Sequence, residues 1–327
     1  MPFTLPEPSL FNRRHFLNWG VHGLGATALA SMLSAEEGGA QLAHFSPKAK
    51  RAINICLVGG LSQVDSFDYK PALERFHGKA PPGKRPEVFF GQVGRVRKND
   101  WDFERRGRSG LWISDLFPHL AGVADELTVI RSMHSETGNH TPALFLSNSG
   151  FQANGFPALG SWLSYGLGNL SDSLPAFVVL PDARGAPSGG ASSWSNGFLP
   201  GEHQGVPFSS GEHPVRDLFA PKEVSPDGLE AERELLAYIQ NRQLQRLGGR
   251  DSILEARVKS YELAARMQVS IPGVSDISGE SKRLTDEYGL EGKETRDFAR
   301  NCILARRLLE RGVRFVQLFA GGPLGGK

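Results

Sequence analysis

Four short runs of apolar residues recur along the chain with little polar alternation: Ile53 to Val58, Leu127 to Arg131, Leu174 to Leu180 and Val313 to Phe319. Such runs mark strands covered on both faces, as in a parallel sheet with helices on either side. A weaker fifth candidate, Val88-Phe89-Phe90, sits in a stretch from Pro71 to Gly110 rich in Lys, Arg, Gly and Pro, which reads as a surface excursion. Helical spacing appears elsewhere. Ser114-Asp115 opens a helix through Phe117, Leu120 and Val123, and another begins near Pro142. Gly228 to Leu247 and Ile253 to Val269 carry apolar residues such as Leu235, Leu236, Ile239 and Leu244 amid Arg and Glu, the pattern of two amphipathic helices. A further helix, Thr295 to Arg311, is expected to bury Phe298, Cys302, Ile303 and Leu308 and to end at Gly312. The expected class is α/β, with a central mixed, largely parallel sheet flanked by helices and a helical segment over 228–290.

Polar clusters follow the strand candidates. In open α/β sheets ligands bind just outside the carboxyl ends of the strands. The first run breaks at Gly59-Gly60, where glycine lets the chain turn sharply, and then delivers Asp65, Ser66 and Asp68. A carboxylate there suits a divalent cation. Equally, Ser62, Asp65 and Asp68 are residues that cap and solvate a first turn. The second run delivers Ser132 to Pro142, with His134, Glu136, Thr137, Asn139, His140 and Thr141 ahead of a helix whose free amides favour an anion. The third leads into Pro181-Asp182-Ala183-Arg184. Gly201-Glu202-His203 and Gly211-Glu212-His213 repeat a Glu-His pair, but in a polar loop from Gly185 to Pro214 that reads as surface.

Composition narrows the function classes. The 327 residues are 39% apolar with a formal charge of +2, and no long basic block carries interleaved aromatics, which argues against a nucleic-acid partner. The basic run Arg95, Arg97, Lys98, Arg105, Arg106 and Arg108 reads as a solvated face that can also meet an anionic substrate. The two cysteines, Cys56 and Cys302, lie far apart in a strand and a helix and read as small core hydrophobes.

At the N-terminus, Asn12-Arg13-Arg14-His15-Phe16-Leu17 precedes a weakly apolar, glycine-bearing segment, Trp19 to Leu33. This resembles a twin-arginine export signal, with a core too short and polar for a stable transmembrane span. Residues 1–45 are therefore expected to be signal and linker, and 46–327 the α/β domain. The twin-arginine export machinery would be a partner, and the periplasm or cell surface the destination.

With these pieces placed, the sequence resembles the sulfatase-like domain-of-unknown-function family 1501, relatives of the alkaline phosphatase superfamily. The matching segments are Gly59-Gly60-Leu61-Ser62-Gln63-Val64-Asp65-Ser66-Phe67-Asp68-Tyr69-Lys70-Pro71, Asn139-His140 through Ser149-Gly150, Gly197-Phe198-Leu199-Pro200 with His203-Gln204-Gly205-Val206, and Arg314-Phe315-Val316-Gln317-Leu318. The resemblance implies an alkaline-phosphatase/sulfatase-like fold with a metal-centred ester hydrolase site at the strand ends, a small anionic ester as substrate, and a divalent metal (Zn, Ca or Mg) in the complete family member. It further implies Asp65 as the first metal ligand and places His140 where sulfatases keep their nucleophile, with Ala143 and Leu144 replacing their Ser-Arg pair. A mechanism through a modified cysteine is excluded at that position. His140 would bind metal or act as a base, Thr141 or Thr137 would supply a hydroxyl, and Asn139 would stand with His140 at the phosphate or sulfate. Ser66, Arg131 and Arg184 would contact the anion.

The family's next strand leads into an Asp-x-His motif, where this chain has Ala320-Gly321-Gly322-Pro323. A two-metal hydrolase holds its cations roughly 4 Å apart with several ligands, which one aspartate and one histidine cannot supply. The domain is thus expected to be incomplete at its C-terminus and inactive as this chain. Two readings stay open, an exported metal-dependent phosphate- or sulfate-ester hydrolase-like protein and a non-catalytic exported binding or structural protein on the same fold.

Overall fold

The computed structural model describes residues 46, 48–83, 92–209, 214–215, 225–246 and 252–321. The proposed export signal, Val88 to Phe90, Gly211 to His213 and Gly322-Pro323 lie outside them. In chain order the elements are β1 (Ala52–Leu57), α1 (Ala72–Phe76), β2 (Phe103–Arg106), β3 (Leu111–Ser114), α2 (Pro118–Ala121), α3 (His140–Ser149), α4 (Leu159–Leu167), β4 (Phe177–Leu180), β5 (Val206–Pro207), α5 (Pro226–Arg246), α6 (Ser252–Ser275), α7 (Lys282–Tyr288), α8 (Arg296–Glu310) and β6 (Phe315–Ala320). They divide into two compact units, one of residues 1–58 with 144–327, the other of residues 59–143.

The larger unit is built on a four-stranded sheet in the order β1-β6-β4-β5, every neighbouring pair parallel. The class is α/β, with a largely parallel sheet flanked by helices. Side chains alternate across a strand, and here both faces are apolar. Val178, Leu180, Val316 and Leu318 point to one side and join Met267, Ile271, Leu304 and Leu308 of α6 and α8. Phe177, Val179, Phe315 and Phe319 point to the other and join Leu144, Ala158 and Trp194. Helix α8 presents Ala299, Ile303, Leu304 and Leu308 to the sheet at helical spacing. It ends in a Schellman closure, the Val313 amide donating to Leu308 O at 3.0 Å and that of Gly312 to Leu309 O at 3.1 Å. Helix α7 starts on Ser281, whose hydroxyl accepts from the Leu284 amide at 3.3 Å.

In the smaller unit an antiparallel hairpin, β2 with β3, packs Tyr69 between Phe103 and Trp112, with ring centroids 5.2 and 4.7 Å away. Asp125 closes the hairpin turn by accepting from the Arg108 and Ser109 amides at 3.0 and 2.9 Å. Those bonds, Arg108 first, hold its carboxyl below the usual range.

Several expectations are corrected. Strand β1 has only β6 beside it among the described residues, so it is an edge rather than a doubly covered strand, and Ile53, Ile55 and Leu57 are exposed. Leu127 to Arg131 forms no ladder; it is extended chain in which Leu127 and Val129 are half-buried while Thr128 and Ile130 face outward. Phe298 is exposed, one helical step outside the buried stripe of α8. The loop after Gly185 is not polar throughout, since Trp194, Leu199 and Phe208 enter the core. The hairpin β2-β3, helix α4 and the short strand β5 were not foreseen. The basic run largely pairs within its own unit: Arg97 with Asp100, Lys98 with Glu74, Arg106 with Glu104 and Arg108 with Asp125, while Arg105 lies over the Trp112 ring.

Candidate functional site

Three places carry the polar side chains. The first is the turn after β1. A 3-10 turn over Gln63–Asp65 is closed by the Asp65 amide donating to Ser62 O, and the Ser62 hydroxyl donates to Asp65 Oδ2 at 2.5 Å. Ser66 is fully buried, and its hydroxyl donates to Ser62 O at 2.8 Å. From β3, the Ser114 hydroxyl donates to Asp65 O at 2.6 Å and its amide to Ser66 O at 3.0 Å, which fixes the turn in place. Ser66 therefore pins this backbone and presents no hydroxyl outward. Asp65 is half-buried, and its carboxylate accepts from the Ser62 hydroxyl. Asp68, with a side chain 14% exposed, pairs with Lys70 at 3.0 Å and with Arg131 at 3.8 Å. Arg131 and the turn are thus brought together.

The second place is the start of α3. Asn139 caps it, its Oδ1 accepting from the Thr141 amide at 3.3 Å, while its own amide donates to Thr137 Oγ1 at 3.1 Å. Asn139 and Thr141 are half-buried and His140 is exposed. No hydrogen bond or ion pair joins His140 to Asp65.

The third place, in the larger unit, is the carboxyl edge of the parallel sheet. Asp182, two residues beyond β4, accepts from the Gly321 amide just beyond β6 at 2.8 Å, from the Arg184 amide at 2.9 Å, and from Arg184 Nε and Nη2 at 2.8 and 2.9 Å. The Arg184 guanidinium is the main cause that holds the Asp182 carboxyl well below the usual carboxylate range. Arg184 is consequently committed to its neighbour. Sequence reasoning passed over Asp182, whose signal was an Asp-x-Arg spacing directly after an apolar run. It also missed a buried amide pair under this edge, in which Gln317 Nε2 of β6 donates to Asn148 Oδ1 of α3 at 2.6 Å.

The Glu-His pair at 202 and 203 is structural in character. His203 Nδ1 lies 2.9 Å from the Ser164 hydroxyl, Tyr165 stands edge-on to the ring, and Glu202 pairs with Lys259 at 2.9 Å. Burial holds His203 below its ordinary value against the opposing pull of Glu202. Burial also pushes the thiols of Cys56 and Cys302 up to about 11, so neither is a thiolate near neutrality.

A divalent centre needs several converging donors. Among the described residues no three His, Cys, Asp or Glu side chains come together as a ligand set. Asp65 and Asp68 are satisfied by Ser62, Lys70 and Arg131 instead, so the described residues do not by themselves fit the two-cation centre that the resemblance implies. No helix is long and apolar enough to cross a membrane among the described residues.

Comparison with known proteins gives no match among curated proteins and none among solved structures. A family model described as "Protein of unknown function (DUF1501)" matches residues 49–322, from just before β1 to just after β6, and the chain belongs to that family.

Proposed function

We propose that this chain is an exported, metal-dependent phosphate- or sulfate-ester hydrolase-like protein on an alkaline-phosphatase-like scaffold, inactive as this chain. The observation that carries the reading lies within the smaller unit: the turn over Gln63–Asp65, which follows β1 and Gly59-Gly60 in sequence, is pinned by the Ser66 and Ser114 hydroxyls and leaves Asp65 half-buried. In this reading Asp65 contributes one carboxylate to a metal. A small anionic ester would meet Asn139, His140 and Thr141 at the start of α3.

The alternative of a non-catalytic binding or structural protein is favoured by one observation, the internal pairing of Asp65 and Asp68. The purified chain, supplied with Zn, Ca or Mg, is expected to turn over aryl phosphates and aryl sulfates no faster than buffer. Turnover abolished by Asp65→Asn would overturn the inactivity.

A further inference from the structure

Helix α5 lies on α6 with one face only. Gln240 is buried, Leu229 and Leu244 are half-buried on the same side, and Arg233 hydrogen-bonds to Gln268. The opposite side leaves Leu235, Tyr238 and Ile239 between 51% and 60% exposed, an apolar patch in the middle of a 21-residue helix. A solvated helix face normally carries charge there.

The residues on the open side are Gly228, Glu232, Leu235, Ile239, Arg242 and Arg246, which alternate by four and three positions as in a coiled-coil seam. The stripe is symmetric about position 237. Leu235 and Ile239 are equidistant from that point, as are Glu232 and Arg242, and Gly228 and Arg246. The charge is antisymmetric, acidic before the patch (Asp227, Glu230, Glu232, Glu234) and basic after it (Arg242, Arg246). Glu232 and Arg246 have no ion-pair partner among the described residues, and Arg242 meets only the Tyr238 hydroxyl, at 3.5 Å.

We infer that α5 is a self-association helix that packs antiparallel against α5 of a second copy of this chain. A two-fold axis through position 237 sets Leu235 of one copy against Ile239 of the other and Glu232 against Arg242, the self-complementarity that an isologous dimer requires. Apolar burial drives the contact, and the charge pairs fix its antiparallel sense. A parallel arrangement would place acid on acid and base on base.

Sedimentation velocity of the full chain across a concentration series tests this. The expected result is a monomer–dimer equilibrium that weakens with added salt. Leu235→Lys with Ile239→Lys should give monomer at every concentration with an unchanged circular dichroism spectrum, since both side chains are exposed. Glu232→Arg or Arg242→Glu alone should weaken the dimer at least tenfold, and the two together should restore it. A wild-type chain that stays monomeric at all concentrations, so that the patch serves some other partner, would overturn the inference. So would a dimer indifferent to the lysine pair, or a charge swap that fails to rescue.

Discussion

Phe177→Ala is expected to lower the free energy of unfolding by about 3–5 kcal/mol, the range for deleting a fully buried aromatic ring that its surroundings cannot close over. The site is held rigidly from several directions. Phe177 is 1% exposed, with Phe315 of the neighbouring strand 5.5 Å away between ring centroids. Gly160 of α4 lies against the ring so closely that a Cβ there would come within 2.5 Å of it, and a Cβ at Gly205 would come within 2.8 Å. Backbone on two sides cannot collapse into the space, so the cavity persists. Denaturant titration gives the answer, and a loss below about 1 kcal/mol would mean that the ring is not the wedge between α4 and the sheet described above.

Arg307→Ala is expected to cost about 3 kcal/mol, because one side chain performs two tasks. Its Nε and Nη2 donate to the Val274 and Gly273 carbonyls at 2.8 Å each, satisfying the last turn of α6, and its Nη1 donates to Glu280 at 2.5 Å. Removing it strands the Val274 carbonyl at a helix end, leaves Gly273 O to Arg311 alone at 2.9 Å, and takes one of two arginine partners from a carboxylate whose side chain is 10% exposed. The same pair sets an acid dependence. The hydrogen bond from Arg307 is the leading cause that holds the Glu280 carboxyl below its ordinary value. The unfolded chain then binds the proton more readily, so this contribution is complete above the ordinary glutamate range and is lost as pH falls through the lowered value. Unfolding followed between pH 7 and pH 3 should show a smaller acid loss in Arg307→Ala than in the parent. Equal acid losses would assign the dependence to other groups, of which Asp182 is the strongest candidate.

What was legible in the sequence follows from the physics of each signal. Strands β4 and β6 and helix α8 declare themselves because their partners lie on regular faces, so apolar periodicity reports burial directly, whereas in α5 the same periodicity gave the helix but not its buried face, since Leu235, Leu236 and Ile239 are exposed. The apolar run of β1 was read correctly as a strand but not as an edge, since composition records a residue's preference for burial and not whether a neighbour arrives. Leu127 to Arg131 failed for a related reason, because an apolar run becomes a strand only when another chain segment completes its ladder. Trp194, Leu199 and Phe208 were hidden in a loop where 3-10 turns and glycine break any period. At the candidate site, residue types singled out groups able to do chemistry, while their commitments depend on geometry. Ser66 and Asn139 satisfy backbone, Arg184 is taken by Asp182, Asp65 is half-buried and accepts from Ser62, and His140 is exposed.

The proposal rests on Asp65 as a metal ligand of an ester hydrolase. It is tested most directly in a member of the same family that carries an Asp-x-His segment after the strand matching β6, by measuring bound divalent metal together with aryl phosphate and aryl sulfate turnover. The account predicts stoichiometric metal and turnover of one of the two esters, both lost when the aspartate matching Asp65 is replaced by asparagine. Such a member that binds no divalent metal and hydrolyses neither ester would contradict it.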